Sequence, residues 1–131
     1  MRLVTAAIIR KNETVLIARR GPSEKLAGFW EFPGGKVDAH ETLADCLIRE
    51  LREELGITVV PGRTLCESDY HYEHGAFRIV AMEAEVESYD FQLKVHDQVA
   101  WVLPIDLKNF ALLPADIPII EVLTGELNEK V

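Results

Sequence analysis

Residues 35–57 read GKVDAHETLADCLIRELREELGI, and they place three carboxylates, Glu50, Glu53 and Glu54, within a single turn of a predicted helix. Thr42 with Asp45 three residues on suits an N-cap and its partner. Ala44, Leu47, Ile48, Leu51 and Leu55 fall at i, i+3, i+4, i+7 and i+11, the period of an apolar helical face, and Gly56 supplies the stop. At about 100° per residue the apolar positions span roughly 100° of arc, and the three glutamates take a second arc of roughly 100° that is expected to face away. Like charges at this spacing repel one another, so something positive is expected among them. An array of hard oxygens suits Mg2+, with Mn2+ as an alternative, because magnesium prefers oxygen ligands and shares its shell with substrate phosphates. RELREE by itself also fits a solvated helix face, with Arg49 and Glu53 as a surface pair.

Outward from this stretch the pattern is of strands. Leu3 to Arg10 and Thr14 to Ala18 are apolar runs around a Lys11-Asn12-Glu13 turn, which predicts a hairpin or two neighbouring strands. Arg19 to Gly28 reads as a loop carrying Arg20 and Lys25. Phe29 to Phe32 is a short aromatic strand running into Pro33-Gly34-Gly35, read as a sharp bend where backbone can approach a ligand. Beyond the helix, Ile57–Val60 and Arg63–Glu67 read as strands separated by a Pro61-Gly62 turn, and an aromatic and histidine-rich piece follows from Tyr70 to His74. Phe77–Val86 and Gln98–Leu103 are further strands, Pro104–Phe110 a short helical turn. Asp116 before Ile117-Pro118 opens a last helix to about Leu127, with Ile119, Ile120 and Leu123 on its buried side. Several strands around one central helix, with a second helix at the end, predict a layered α/β sandwich with a mixed sheet, residues 1–131 forming a single domain.

The balance of 48% hydrophobic and 27% charged residues is that of a globular chain. A net charge of −8 argues against binding to polymeric nucleic acid or a membrane surface. Residues 1–63 carry 10 Lys/Arg against 9 Asp/Glu, and residues 64–131 carry 4 against 13, so an anionic ligand favours the N-terminal half unless metal ions invert the local field. No apolar run reaches the ~20 residues of a membrane span and no signal peptide is apparent, so a cytoplasmic location is expected. Cys46 and Cys66 form no CxxC pair, and reduced thiols with no structural role are expected.

Gly35, Glu41, Arg49-Glu50-Leu51, Glu53-Glu54 and Gly56-Ile57 match the Nudix box, Gx5Ex7REUxEExGU, at every specified position. Seven of these positions demand one residue type, so a chance match is on the order of 10⁻⁸ per starting point. The chain therefore resembles the Nudix hydrolases, and the order of its elements resembles their α/β/α sandwich. The resemblance implies hydrolysis of a nucleoside diphosphate linked to another group. It makes Glu50, Glu53 and Glu54 metal ligands, with a Gly34 or Gly35 carbonyl completing the site. Glu41 and Arg49 would brace the loop against the helix, which a charge-assisted pair can do. Glu53 is the first choice for the group that takes the proton of the attacking water. Some relatives carry a further acid upstream of the late Trp strand. Here that region reads Val95-His96-Asp97-Gln98, so Asp97 is a candidate metal ligand and equally a plain loop aspartate.

GFWEFPGGK and LLPADIPII resemble the short MutT-type nucleoside triphosphate pyrophosphohydrolases, and PADIP the CTP pyrophosphohydrolase branch. The implied substrate is a small nucleotide, and the expected assembly a monomer or weak homodimer. Asp116 stands where that group reads the base edge. An ionised aspartate only accepts, which suits cytosine N4, whereas a protonated one can donate to a purine carbonyl and admit oxidised guanine nucleotides. Asp116 is also a good helix N-cap. Tyr72, Phe77 and Phe110 are candidates for stacking on a base, and Arg20, Lys36 and Arg78 for reaching phosphates. Hydrolysis of ADP-ribose or a dinucleoside polyphosphate, and a non-catalytic nucleotide-binding module, are the alternatives; three mutually repelling carboxylates argue against the last.

Overall fold

The computed structural model describes residues 1–129. Strands β1 (Arg2–Lys11) and β2 (Thr14–Arg20) form a hairpin in which Lys11 pairs with Thr14. Asn12 takes φ 56°, the left-handed conformation that a two-residue hairpin loop requires and asparagine tolerates. The chain continues through β3 (Trp30–Glu31), β4 (Gly34–Lys36), helix α1 (Leu43–Leu55), β5 (Val59–Tyr72), β6 (Gly75–Val86), β7 (His96–Val102) and helix α2 (Ile117–Glu129). The sheet runs β3-β2-β1-β6-β5, with β4 added to β1 and β7 to β2. β1 and β6 are parallel and the other pairs antiparallel, so the sheet is mixed as expected.

β1 lies at the centre and is buried on both faces, which is why its sequence is an unbroken apolar run rather than an alternating one. Successive side chains still separate. Ala6 and Ile8 join Val15, Ile17, Ile79 and Ala81 beneath Ile119 and Leu123 of α2. Ala7 and Ile9 join Leu16, Val80 and Met82 beneath Leu47, Leu51 and Leu55 of α1. A helix thus covers each face of the sheet. Pro104–Asn109 forms the predicted helical turn, as a 3-10 helix.

Three local expectations change. Gly34-Gly35-Lys36 is not a bend but a strand, paired to Val4, Thr5 and Ala6 of β1. Its glycines serve close packing: a side chain at Gly34 would collide with the backbone carbonyl of Thr5, and one at Gly35 with the carboxylate of Glu50. We expect Gly34→Ala to cost about 1–3 kcal/mol, as overpacking against immovable backbone does, read as a lowered urea midpoint at unchanged slope. Secondly, Pro61-Gly62 does not divide two strands. β5 is continuous from Val59 to Tyr72 and absorbs these residues where its register to β6 shifts, between Pro61 and Thr64. Because β5 ends the strand order, the missing N–H of Pro61 can be tolerated there. Finally, Cys46 does have a structural role. It is fully buried, with its thiol 3.4 Å from Thr5 Oγ1 and 3.5 Å from the carbonyls of Gly35 and Lys36, pinning β4 to α1.

Candidate active site

The site begins where β4 hands over to α1. Thr42 is extended and its Oγ1 accepts from the Asp45 N–H at 3.0 Å, while Gly56 ends the helix at φ 67° with its N–H on the Arg52 carbonyl, both as the sequence predicts. Between them Arg49 is the hub. Its Nε and one terminal nitrogen hold both oxygens of Glu41 at 2.8 and 3.0 Å, and the Lys36 carbonyl accepts from it at 3.1 Å. Its other terminal nitrogen reaches Glu50 at 2.9 Å and Glu53 at 3.3 Å. Arg49, then the Asp38 N–H, holds the Glu41 carboxyl down at about 2. The expected brace between loop and helix is therefore built from a two-pronged guanidinium–carboxylate pair.

The three glutamates do not share one solvated arc. Glu53 is exposed, Glu50 is half-buried against Gly35, and Glu54 is buried at 9% exposure. At 100° per residue Glu54 falls only about 20° from Leu47, so the apolar face carries it inward. Burial first, then the charges of Glu31 and Glu50, pushes its carboxyl up to about 9. A buried Glu54 carboxyl this reluctant to ionise, with further hard oxygens beside it, fits a divalent cation that would supply the missing charge. Glu50, Glu53 and Glu54 are the residues that would hold it. The Gly35 carbonyl accepts from Thr5 Oγ1 at 3.3 Å and from the Cys46 thiol at 3.5 Å.

Two residues not singled out from the sequence complete the cluster. Glu31 of β3 and His96 of β7 each bring a ligand atom within 4.8 Å of Glu54's. His96 Nε2 lies 2.7 Å from Glu31 Oε2 and 3.9 Å from Glu54 Oε1. Arg20 of β2, paired in register with His96, reaches both Glu31 oxygens at 3.1 and 3.3 Å. The available signal was a charge between Trp30 and Phe32, since Trp30 packs on the α2 face and a strand alternates. His96 was hidden because β7 starts two residues earlier than its apolar pattern suggests.

Asp97, next along β7, points away and forms an exposed ion pair with Arg19 at 2.7 Å, whose guanidinium lowers its carboxyl pKa. Arg78 pairs with Asp69 at 2.7 Å across β5 and β6, and Phe77 stacks beside Tyr70 and Tyr72 with centroids 5.5 and 6.1 Å away. Lys36 is exposed, and Phe110 lies edge-on to Trp30.

Asp116 sits on the other side of β3. Trp30 exchanges backbone hydrogen bonds with Ala111 and Leu113, at 2.9 and 3.0 Å, which brings the 3-10 turn Pro114–Asp116 alongside. There Asp116 Oδ2 accepts from the Phe32 N–H at 3.1 Å, in place of the expected cap on the last helix. Burial raises its carboxyl to about 7 against the opposing pull of that N–H. Glu31 and Phe32, adjacent in the chain, thus connect the carboxylate cluster to a second buried acid.

Comparison with known proteins agrees with this geometry. The family model of the NUDIX domain matches residues 1–123. The chain is 38% identical over 121 residues to a CTP pyrophosphohydrolase of Escherichia coli (strain K12), covering 90% of this chain and 87% of that one. It is 35% identical over 118 residues to a putative 8-oxo-dGTP diphosphatase 2 of Mycobacterium tuberculosis, covering 87% and 82%. The crystal structure of a MutT protein from Methanosarcina mazei Go1 superposes with a TM-score of 0.84 at 27% identity, over 95% of this chain and 94% of that one. Likeness of sequence and of fold extends along nearly the whole chain, and the braced carboxylate helix lies within it: the chain belongs to the Nudix family and is a MutT-like hydrolase.

Proposed function

We propose that this enzyme is a magnesium-dependent nucleoside triphosphate pyrophosphohydrolase that converts CTP or dCTP to the monophosphate and pyrophosphate. The observation that carries the choice of base is Asp116. One of its oxygens is held by the Phe32 N–H, which leaves the other for a ligand in a buried setting, 5% exposed. An ionised carboxylate there accepts from cytosine N4. The relatives whose names specify CTP and 8-oxo-dGTP bracket the same two chemistries that Asp116 offers when ionised and when protonated. An oxidised guanine nucleotide is the second reading, favoured by the carboxyl's pKa of about 7.

Magnesium, or manganese in its place, would be held by Glu50, Glu53 and Glu54, and there would supply charge to offset the polyphosphate and to make an attacking water more acidic. Glu41 and Arg49 keep those carboxylates on one side of the loop. Glu53, the exposed member, takes the proton as water oxygen bonds to phosphorus and the bridging P–O bond breaks in line. The membrane plays no part in this reading, and among the described residues no helix is long and apolar enough to cross one.

The test is a panel of CTP, dCTP, 8-oxo-dGTP, ADP-ribose and a dinucleoside polyphosphate with magnesium, assayed for pyrophosphate and phosphate. Pyrophosphate release greatest with the cytosine nucleotides is the expected result. Turnover confined to ADP-ribose or the dinucleoside polyphosphate overturns it.

A further inference from the structure

Glu31 lies outside the loop and helix that carry the other carboxylates, yet it is held from two further strands. Arg20 grips both of its oxygens from β2 and His96 donates to Oε2 from β7. Arg20 is itself fixed by its Nε on the Lys25 carbonyl at 2.6 Å. His96 has no exposed side-chain surface, and among the described residues its buried Nδ1 finds no partner. An orphaned buried N–H is rarer than an under-satisfied acceptor, so the arrangement selects the tautomer with the proton on Nε2, aimed at Glu31. Glu31 in turn is the neighbour against which Glu54 must sit, with His96 Nε2 3.9 Å from Glu54 Oε1.

We propose that Arg20 and His96 are positioning residues that hold Glu31 against Glu54 and thereby set the geometry of the carboxylate seat for the divalent metal. Arg20, a phosphate-binding candidate from sequence, donates through Nε to the Lys25 carbonyl and through one terminal nitrogen to Glu31. The proposal rests on the reading that this seat binds a divalent cation, and groups that orient metal ligands from behind are worth about 10–100-fold in affinity or activity.

The test is a Mn2+ titration of the whole protein without nucleotide, followed by the loss of the free-ion electron paramagnetic resonance signal. It compares wild type with His96→Leu, His96→Gln and Glu31→Gln. His96→Leu and Glu31→Gln are expected to weaken Mn2+ binding about tenfold or more. His96→Gln, whose amide N–H can occupy the place of Nε2–H, is expected to recover to within a few-fold of wild type. In turnover, kcat should fall in the weakened variants with KM for the nucleotide nearly unchanged. Wild-type affinity in His96→Leu, or a His96→Gln as weak as His96→Leu, overturns the proposal. If His96→Leu does not fold, wild-type affinity in Glu31→Gln overturns it equally. A wild type that binds no Mn2+ overturns the metal reading as well, whereas a binding wild type with indistinguishable variants overturns this proposal alone.

Discussion

Glu54→Gln is expected to lower turnover about a thousandfold while raising the melting temperature of the metal-free protein. The first half follows from the loss of a charged ligand: about 4 kcal/mol of transition-state stabilisation corresponds to that factor. The second half follows from burial. The Glu54 carboxyl moves from an ordinary value of 4.5 to about 9, pushed by desolvation and then by Glu31 and Glu50. A carboxyl raised in this way keeps in the fold a proton that the open chain has released. Stability therefore falls as pH climbs from about 4.5 towards 9. Glutamine has the same shape and no proton to lose, so the variant should escape that slope. Melting curves of metal-free protein at pH 5, 7 and 9 should diverge, with the wild type falling further behind at each step. Added Mg2+ or Mn2+ should raise the wild type more than the variant, because an ion that binds only the folded state stabilises it according to its affinity. Glu53→Gln supplies the contrast. Glu53 is exposed, so this change should cost activity without the gain in stability. A Glu54→Gln protein that melts below the wild type at pH 9 without metal would sink the account of a strained, cation-seeking carboxylate.

The contrast between these two glutamates marks what was legible from the sequence. The cap at Thr42, the stop at Gly56 and the Glu41–Arg49 brace are local, each partner lying within a few helical turns of the other. Periodicity and spacing therefore expose the cap and the stop, while the brace is what the resemblance to the Nudix box implies. That Glu54 is buried was within reach too, since its angular position lies beside Leu47, but counting charges obscured it. Glu31 and His96 are a different matter. They meet because β2 pairs with β3 at Ala18–Glu31 and with β7 at Arg20–His96, registers that no short window encodes. β3 is two residues long, below the length at which alternation can be recognised. Gly34-Gly35 was misread for a related reason. Glycine signals close approach of backbone, and only the fold says whether the neighbour is a ligand or, as here, Thr5 and Glu50.

The same nonlocality gives Asp116 its meaning, and replacing it is expected to change which nucleotide is turned over rather than whether turnover occurs. Its partner Phe32 lies 84 residues away in sequence, and Phe32 follows Glu31, so Asp116, the proposed reader of the base, is tied by one peptide bond to the acid beside Glu54. With a carboxyl at about 7, Asp116 is an acceptor above neutrality and a donor below it. The ratio of dCTP to 8-oxo-dGTP turnover should therefore rise with pH across the interval from 6 to 8. Asp116→Asn, which both donates and accepts at every pH, should flatten that dependence. Asp116→Ala should reduce discrimination about ten- to a hundredfold, the worth of one good base-edge pair, chiefly through KM. The stability signs follow the same proton. The folded carboxyl is raised above its ordinary 3.8, so the wild type loses stability as pH rises from about 3.8 through about 7, and Asp116→Asn should not. Parallel pH profiles of specificity in wild type and Asp116→Asn would show that the base is read elsewhere. Asp116 would then be only the post that fixes Phe32 and the last helix to β3.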